Sequence, residues 1–206
     1  MKSLLIYGDS ISSGIHGKNA YLSYLERTLH CFIINRSIGS SGLTWRTPRS
    51  MLEQLENFID EHVDIILIWH GTNDWYWGVP MDVFIDGINE AITTLQKRNP
   101  LALITWCGPI YRFEAPNGTI TKGSAFSNKN KSGLTLYDYT QAIKETSEKL
   151  HFTYINMDEL AQIHQWNEQV FLEDHVHPNA DGYVRIGRIL STTLQNLWFI
   201  KTGEQA

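Results

Sequence analysis

Short apolar runs alternate along the chain with segments in which apolar residues recur every three or four positions. The apolar runs predict five strands, at residues 2–7, 31–35, 63–69, 101–106 and 151–156. The longer spacing predicts helices at 21–29, 51–59, 83–95 and 137–150, and a last one that Asn179 or Asp181 would cap. Alternating strands and helices are typical of an α/β fold, in which helices cover both faces of a parallel sheet.

Polar segments follow three of the predicted strands, and they carry the first candidate chemistry. Ser10 follows the first strand, a loop of small residues at 37–42 follows the second, and a polar turn at 71–74 follows the third. Active sites of open parallel sheets lie outside the carboxyl ends of the strands. We therefore expect these three segments to meet at one edge of the sheet.

Two segments show no clear period. Residues 108–135 contain Gly, Pro, Asn, Ser and Lys without a repeat. A stretch this long inside a compact domain is usually a functional loop or lid, or is mobile. Residues 158–173 fit a short helix followed by a turn. The pattern alone does not choose among these alternatives.

Composition and charge narrow the class of protein. A chain of 206 residues, 42% of them hydrophobic and 19% charged, is typical of one globular domain, which we expect to span 1–206. The net charge of -5 and the scattered Lys and Arg residues do not suggest a nucleic-acid partner. We see no apolar run of membrane-spanning length and no signal peptide. Cys31 and Cys107 are interpreted as buried, reduced thiols, so we expect a cytoplasmic protein.

Ser10 is a candidate nucleophile only if other residues supply a base, an acid and oxyanion donors. Asp174 and His177 lie three residues apart before the last predicted helix, and both could face the same serine. Asn73 offers a side-chain amide donor, and the small-residue loop offers backbone N–H groups. Together these residues predict acyl transfer through a serine.

Four segments resemble the sequence blocks of the SGNH hydrolases, also called the GDSL esterase/lipase family. In family order over residues 4–179, they are Gly8-Asp9-Ser10-Ile11, the small-residue loop, Gly71-Thr72-Asn73-Asp74 and Asp174-x-x-His177-Pro178. The resemblance implies a flavodoxin-like three-layer α/β/α sandwich with a five-stranded parallel sheet. It implies that Ser10 is the nucleophile, His177 the base and Asp174 its partner. It also implies oxyanion donors from the Ser10 N–H, the small-residue loop and Asn73.

The donor from the small-residue loop is open between two residues. Counting from Asn35 places Ser40 where the family usually has glycine, whereas a longer loop would give the role to Gly42. A backbone N–H needs no glycine unless φ is positive. We therefore predict Ser40 by register and keep Gly42 as the alternative.

Several neighbouring residues have structural interpretations. His175 competes with His177 as the base, but the Asp-x-x-His register favours His177. Asp9 and Asp74 are interpreted as carboxylates that stabilise turns. We expect no metal and no cofactor, because no metal-ligand spacing connects His16, His70 and His164 with nearby acidic residues.

Aromatic residues follow the third block. Trp75, Tyr76 and Trp77 either cover the edge of the sheet or line a pocket for an acyl chain or a sugar ring, and we take them as candidate pocket residues. Trp45 and Arg46 follow the second block and could also face the cleft.

Hydrolysis of a small-molecule ester through an acyl-enzyme is the function that these residues predict. A short-chain or carbohydrate O-acetyl esterase is the first choice, because the aromatic segment and the long loop could frame a sugar. A lysophospholipase or thioesterase, which needs a longer apolar channel, and a catalytically silent binding module are the alternatives. The oligomeric state stays open.

Overall fold

A computed structural model describes residues 2–16, 21–45, 49–59 and 62–204, and Arg46 lies outside them. The strands are β1 (Lys2–Gly8), β2 (Cys31–Asn35), β3 (Ile65–Trp69), β4 (Leu103–Cys107) and β5 (Thr153–Ile155). The helices are α1 (Leu22–Leu29), α2 (Met51–Asn57), α3 (Thr72–Trp77), α4 (Met81–Arg98), α5 (Leu136–Leu150), α6 (Met157–Ala161), α7 (Glu168–Phe171) and α8 (Ala180–Thr202). A short 3₁₀ helix spans Ala125–Ser127.

The strands form one parallel sheet in the order β2-β1-β3-β4-β5, which confirms the predicted five-stranded parallel sheet. Leu4 of β1 pairs with Ile33 of β2 on one side and with Ile65 of β3 on the other. The strand order therefore reverses at β1. Open parallel sheets bind ligands outside the strand ends at such a reversal, and Ser10 follows β1 there.

Helices cover both faces of the sheet because the central strands are apolar on both faces. All five residues of β3 are buried. Ile66 and Ile68 pack in one core cluster with residues of α2, α4 and α5, whereas Ile65 and Leu67 pack in another with residues of α1 and α8. This alternation follows from the two-residue repeat of a strand. The predicted three-layer α/β/α arrangement is confirmed.

The third block continues into a short helix that the sequence pattern did not predict. The sequence predicts a polar turn at 71–74, but α3 begins after Gly71 and ends at Trp77, with Gly78 as its C-cap. Gly78 adopts a left-handed φ of 68°, which glycine tolerates and which terminates the helix. Six residues are too few for an apolar period to show, so tertiary contacts are needed to reveal this helix.

Residues 108–135 contain little regular structure, as predicted, but they are packed against the rest of the protein. Phe113 and Phe126 are buried. Asn130 is buried too, and its Nδ2 donates to the backbone carbonyl of Trp75 at 2.9 Å. This packing favours the functional-loop interpretation over a mobile segment.

Two questions that the sequence leaves open are the structure of residues 158–173 and the cap of the last helix. Residues 158–173, ambiguous from the sequence, contain the end of α6 and all of α7. Asn179 is the cap of α8, because its Oδ1 accepts the N–H of Gly182 at 3.0 Å. Within the described ranges, no helix has both the length and the apolar character that a membrane crossing requires.

Candidate active site

Ser10 and His177 meet at the carboxyl edge of the sheet although 167 positions separate them in the chain. Ser10 Oγ lies 2.9 Å from His177 Nε2. His177 Nδ1 lies 2.7 Å from Asp174 Oδ2. The three side chains form a continuous hydrogen-bonded series of hydroxyl, imidazole and carboxylate, which is the arrangement that activates a serine.

A tight loop before α8 presents Asp174 and His177 together. Asp174 Oδ1 accepts the backbone N–H of His177 at 2.7 Å and that of Val176 at 3.2 Å. Partial burial raises the pKa of the Asp174 carboxyl, but the hydrogen bonds from His177 and Val176 outweigh burial and hold this pKa below its usual value. An ionised Asp174 favours the His177 tautomer with its proton on Nδ1, so that Nε2 can accept the proton of Ser10.

His175, the competing candidate base, contacts a different carboxylate. Its Nδ1 lies 3.1 Å from Glu168 Oε1 on α7. Its backbone adopts a left-handed φ of 68°. The structure therefore brings His177, and not His175, to Ser10.

Asp9 holds the turn that carries Ser10. Its Oδ1 accepts the N–H of Ile11 at 2.9 Å, and its backbone carbonyl accepts the N–H of Ser13. Burial, which leaves the residue 2% exposed, raises the pKa of Asp9 to about 7. These contacts support the interpretation of Asp9 as a residue that stabilises the turn.

Asn73, in the first turn of α3, lines the same cleft as Ser10 and His177. Its Nδ2 donates to the Ser41 carbonyl at 2.8 Å and lies 3.4 Å from Asp9 Oδ2. The first hydrogen bond anchors the amide. The second contact is long and therefore weak, so the hydrogen that makes it is the one that Asn73 can most easily give up to another acceptor.

Ser40 lines this cleft as well, and it has the backbone conformation that glycine tolerates best. Its φ is 60°, and a left-handed conformation costs an ordinary L-residue roughly 1–2 kcal/mol. Among the residues that the structure describes, none accepts a hydrogen bond from the Ser40 N–H. Ser40 can therefore offer this donor to a ligand.

The alternative donor, Gly42, does not fit the role. Its N–H already donates to the carbonyl of Trp45 at 2.5 Å, and the residue is buried. A Cβ at this position would lie 2.6 Å from Asp74 Oδ2. Glycine is needed here for the close approach of a carboxylate, which corrects the oxyanion prediction for Gly42.

That carboxylate, Asp74, connects α3 to the loop of the second block. It is fully buried and accepts four hydrogen bonds, from the N–H groups of Leu43, Thr44 and Trp45 and from the Thr44 hydroxyl. Burial raises the pKa of Asp74, and the four donors oppose this rise. Asp74 thus fixes the loop that carries Ser40, in agreement with its structural interpretation.

The three aromatic candidates divide into one core residue and two cleft residues. Trp75 is 0% exposed and donates from Nε1 to the Asn128 carbonyl, so it belongs to the core and the pocket prediction for it is wrong. Tyr76 and Trp77 line the cleft with Ser10. Trp77 is 38% exposed and stacks on Trp45 with ring centroids 5.1 Å apart.

Two polar residues that sequence reasoning missed also line the cleft, namely Arg112 and Glu114. Arg112 is 5% exposed, and its guanidinium donates to the Thr72 hydroxyl at 3.2 Å and to the Glu114 carbonyl at 3.0 Å. The Tyr76 hydroxyl donates to Glu114 Oε1 at 3.1 Å. Both residues follow β4, so the strand-end rule could have drawn attention to them.

One group of side chains has the spacing of a metal site, although the sequence predicts none. Ligand atoms of His16, Asp174 and His177 lie within 4.8 Å of one another. The His16 and His177 rings, however, are stacked with centroids 3.8 Å apart and planes 9° from parallel. An imidazole lone pair lies in the ring plane, so two stacked rings direct their lone pairs along parallel planes and fit a shared ion poorly.

Comparison with known proteins identifies the family of the chain. The sequence model of the GDSL-like lipase/acylhydrolase family matches residues 6–185. A search among curated proteins finds no match.

Solved structures resemble nearly the whole chain. A protein from Lactobacillus plantarum has a TM-score of 0.80 at 22% identity, with 95% of this chain and 97% of that chain covered. A possible lipase from Chitinophaga pinensis has a TM-score of 0.74 at 16% identity, with 96% and 99% covered. An acetyl xylan esterase has a TM-score of 0.66 at 17% identity, with 93% and 99% covered. At such identities the likeness shows the fold.

Proposed function

Because this chain belongs to the GDSL-like lipase/acylhydrolase family, we propose that it is a serine esterase that cleaves short acyl esters through an acyl-enzyme. The observation that carries the proposal is the hydrogen-bonded series from Ser10 through His177 to Asp174. The reaction needs only these side chains and water, so we propose that it uses no cofactor.

In the first half-reaction, His177 Nε2 takes the proton of Ser10 as Oγ attacks the ester carbonyl carbon. The C–O bond to the alcohol then breaks, and His177 returns the proton to the leaving alkoxide oxygen. In the second half, His177 deprotonates a water molecule that attacks the acyl-serine, and the proton goes back to Ser10 as the acid leaves. Asp174 stays ionised and stabilises the imidazolium in both halves.

Negative charge develops on the carbonyl oxygen during the attack, and hydrogen-bond donors directed at this oxygen stabilise it. We assign this role to the backbone N–H groups of Ser10 and Ser40 and to Asn73 Nδ2. All three residues line one cleft, which supports this assignment. The Ser41 carbonyl also anchors the Asn73 amide, and the Asp74 carboxylate holds the loop that carries Ser40.

The cleft favours a short acyl group on a polar alcohol. It holds about 190 Å³, less than a typical ligand pocket of roughly 300–1,000 Å³. Its lining includes the exposed Trp77 ring together with Tyr76, Glu114 and Arg112, and the Tyr76 hydroxyl donates to Glu114. An aromatic face beside several hydrogen-bonding groups suits a sugar, and the acetyl xylan esterase of similar fold supports this choice. We therefore propose a carbohydrate O-acetyl ester as the substrate.

A series of substrates tests this function. We expect kcat/KM to be highest for p-nitrophenyl acetate and to fall at the butyrate and octanoate esters, and we expect acetate release from acetylated xylo-oligosaccharides. Turnover that increases towards the octanoate would instead support a lysophospholipase or thioesterase. A protein that hydrolyses none of these esters would contradict the esterase proposal itself.

Replacement of Asn73 tests the oxyanion assignment. We expect Asn73→Ala to lower kcat for p-nitrophenyl acetate on the order of 10²–10³-fold with little change in KM, because the amide acts mainly on the transition state. Steady-state kinetics measure both constants. Asn73→Asp, similar in shape but negatively charged, should lose at least as much.

Asn89→Ala is the matched control, since Asn89 is exposed on α4 and its side chain donates within its own helix, to the Ile85 carbonyl. Its kinetics should equal those of the unmodified protein. An Asn73→Ala variant with unchanged kcat would remove Asn73 from the proposed oxyanion site.

A further inference from the structure

A second carboxylate–imidazole pair lies directly against the proposed catalytic pair. His16 Nδ1 lies 2.5 Å from Glu173 Oε1, just as His177 Nδ1 lies 2.7 Å from Asp174 Oδ2. Glu173 and Asp174 are consecutive in the chain. The two imidazoles are stacked, with centroids 3.8 Å apart and an angle of 9° between their planes.

This stack connects the segment that carries Ser10 with the loop that carries His177, and the proposed reaction needs these two residues to stay in contact. His16 belongs to the segment that continues from Ser10, and His177 belongs to the loop before α8. The Glu173 N–H donates to the His177 carbonyl at 2.9 Å, so the residue that holds His16 is itself anchored in the His177 loop. The pair thus ties the nucleophile segment to the base.

The stack also constrains the catalytic ring. Two hydrogen bonds, to Ser10 and Asp174, lie in the plane of the His177 imidazole and resist motion within that plane. They resist rotation out of the plane less well, because a serine hydroxyl and a half-exposed carboxylate can follow the ring. A parallel ring against one face opposes this rotation directly.

We propose that His16 is a positioning residue, held by Glu173, whose stacked ring keeps His177 in its productive orientation. The inference rests on the proposed esterase function for its kinetic consequences. Neither the sequence blocks nor the spacing of the histidines indicates this role, because His16 meets His177 only in the folded chain.

Four variants test the proposal with p-nitrophenyl acetate. We expect His16→Ala to lower kcat about three- to tenfold with less than a twofold change in KM, in line with the usual strength of aromatic pairs. His16→Phe keeps a stacked ring and should recover most of the loss. Glu173→Gln keeps an acceptor for His16 and should fall between the two.

The fourth variant, His164→Ala, is the matched control. His164 also packs against an aromatic ring, that of Trp166 at 4.6 Å between centroids, but it lies outside the cleft. Its kcat and KM should equal those of the unmodified protein. A His16→Ala variant with unchanged kcat, one that changes KM alone, or a His16→Phe variant as slow as His16→Ala would each overturn the proposal.

A measurement without substrate separates this proposal from the esterase function. In spectra of protein with ¹⁵N-labelled histidine, His177 should give one sharp set of ring signals, which broaden or shift in His16→Ala and return in His16→Phe. Unchanged His177 signals in His16→Ala would overturn the positioning role even if the enzyme is active. A failure of turnover in the unmodified protein would contradict only the esterase function, since the spectra still report the ring orientation.

Discussion

Ser10→Ala should lower kcat for p-nitrophenyl acetate on the order of 10⁴–10⁶-fold while the protein stays folded. The hydroxyl is the atom that His177 can activate, since Ser10 Oγ lies 2.9 Å from His177 Nε2. Without it, no acyl-enzyme can form. The proposed oxyanion donors remain in place, so we expect a small residual rate from direct attack by water.

Two measurements check this expectation. Steady-state kinetics give the loss in kcat, and a fluorophosphonate probe followed by mass spectrometry locates the labelled residue, which should be Ser10. Ser23→Ala is the matched control, because Ser23 is exposed on α1, and its activity and labelling should not change. Full turnover in Ser10→Ala would contradict the assigned nucleophile.

The same probe separates the esterase from a catalytically silent binding module. A silent module on this fold could keep the hydrogen bonds between Ser10, His177 and Asp174 and still fail to react. Labelling of the unmodified protein by the probe requires a nucleophilic serine next to N–H groups that donate to the phosphonate oxygen. Absence of labelling would favour the binding module.

Much of the fold follows from local sequence pattern. The strands were predictable because buried parallel strands are continuous apolar runs, and β3 is the clearest example. Their carboxyl ends lie at one edge of the sheet by topology, so the sequence alone places Ser10, Asn73 and the second-block loop together. The spacing of Asp174 and His177 then identified the remaining pair.

Other features depend on contacts between distant segments and therefore leave no local pattern. The stretch Trp75-Tyr76-Trp77 looks uniform in sequence, yet α3 turns Trp75 into the core and leaves Tyr76 and Trp77 at the cleft. The pattern of a six-residue helix is too short to distinguish these faces.

The conformation of the second-block loop also depends on contacts with a distant segment. Ser40 and Gly42 were both open as oxyanion donors, because the loop register is not visible in sequence. What disfavours Gly42 is Asp74, which lies 31 positions after Leu43 and accepts its N–H. Gly42 is then required for the approach of that carboxylate, and its own N–H is already bonded to Trp45.

Asp74→Ala should therefore lower the free energy of unfolding by about 2–4 kcal/mol, a large part of the stability of a typical domain. The variant leaves the N–H groups of Leu43, Thr44 and Trp45 without their acceptor in a buried or half-buried site. Relief from burying a carboxylate offsets part of this cost, since burial raises the pKa of Asp74. Urea unfolding followed by tryptophan fluorescence measures the change.

Asp86→Ala is the control, because Asp86 is exposed on α4 and its removal should change stability by less than about 0.5 kcal/mol. The loss in Asp74→Ala should extend to kcat even where the variant is still folded, since the loop that Asp74 holds also carries Ser40. An Asp74→Ala variant as stable as the unmodified protein would mean that water replaces the carboxylate without cost. Loss of stability with normal kcat would instead separate Asp74 from the oxyanion site and weaken the assignment of Ser40.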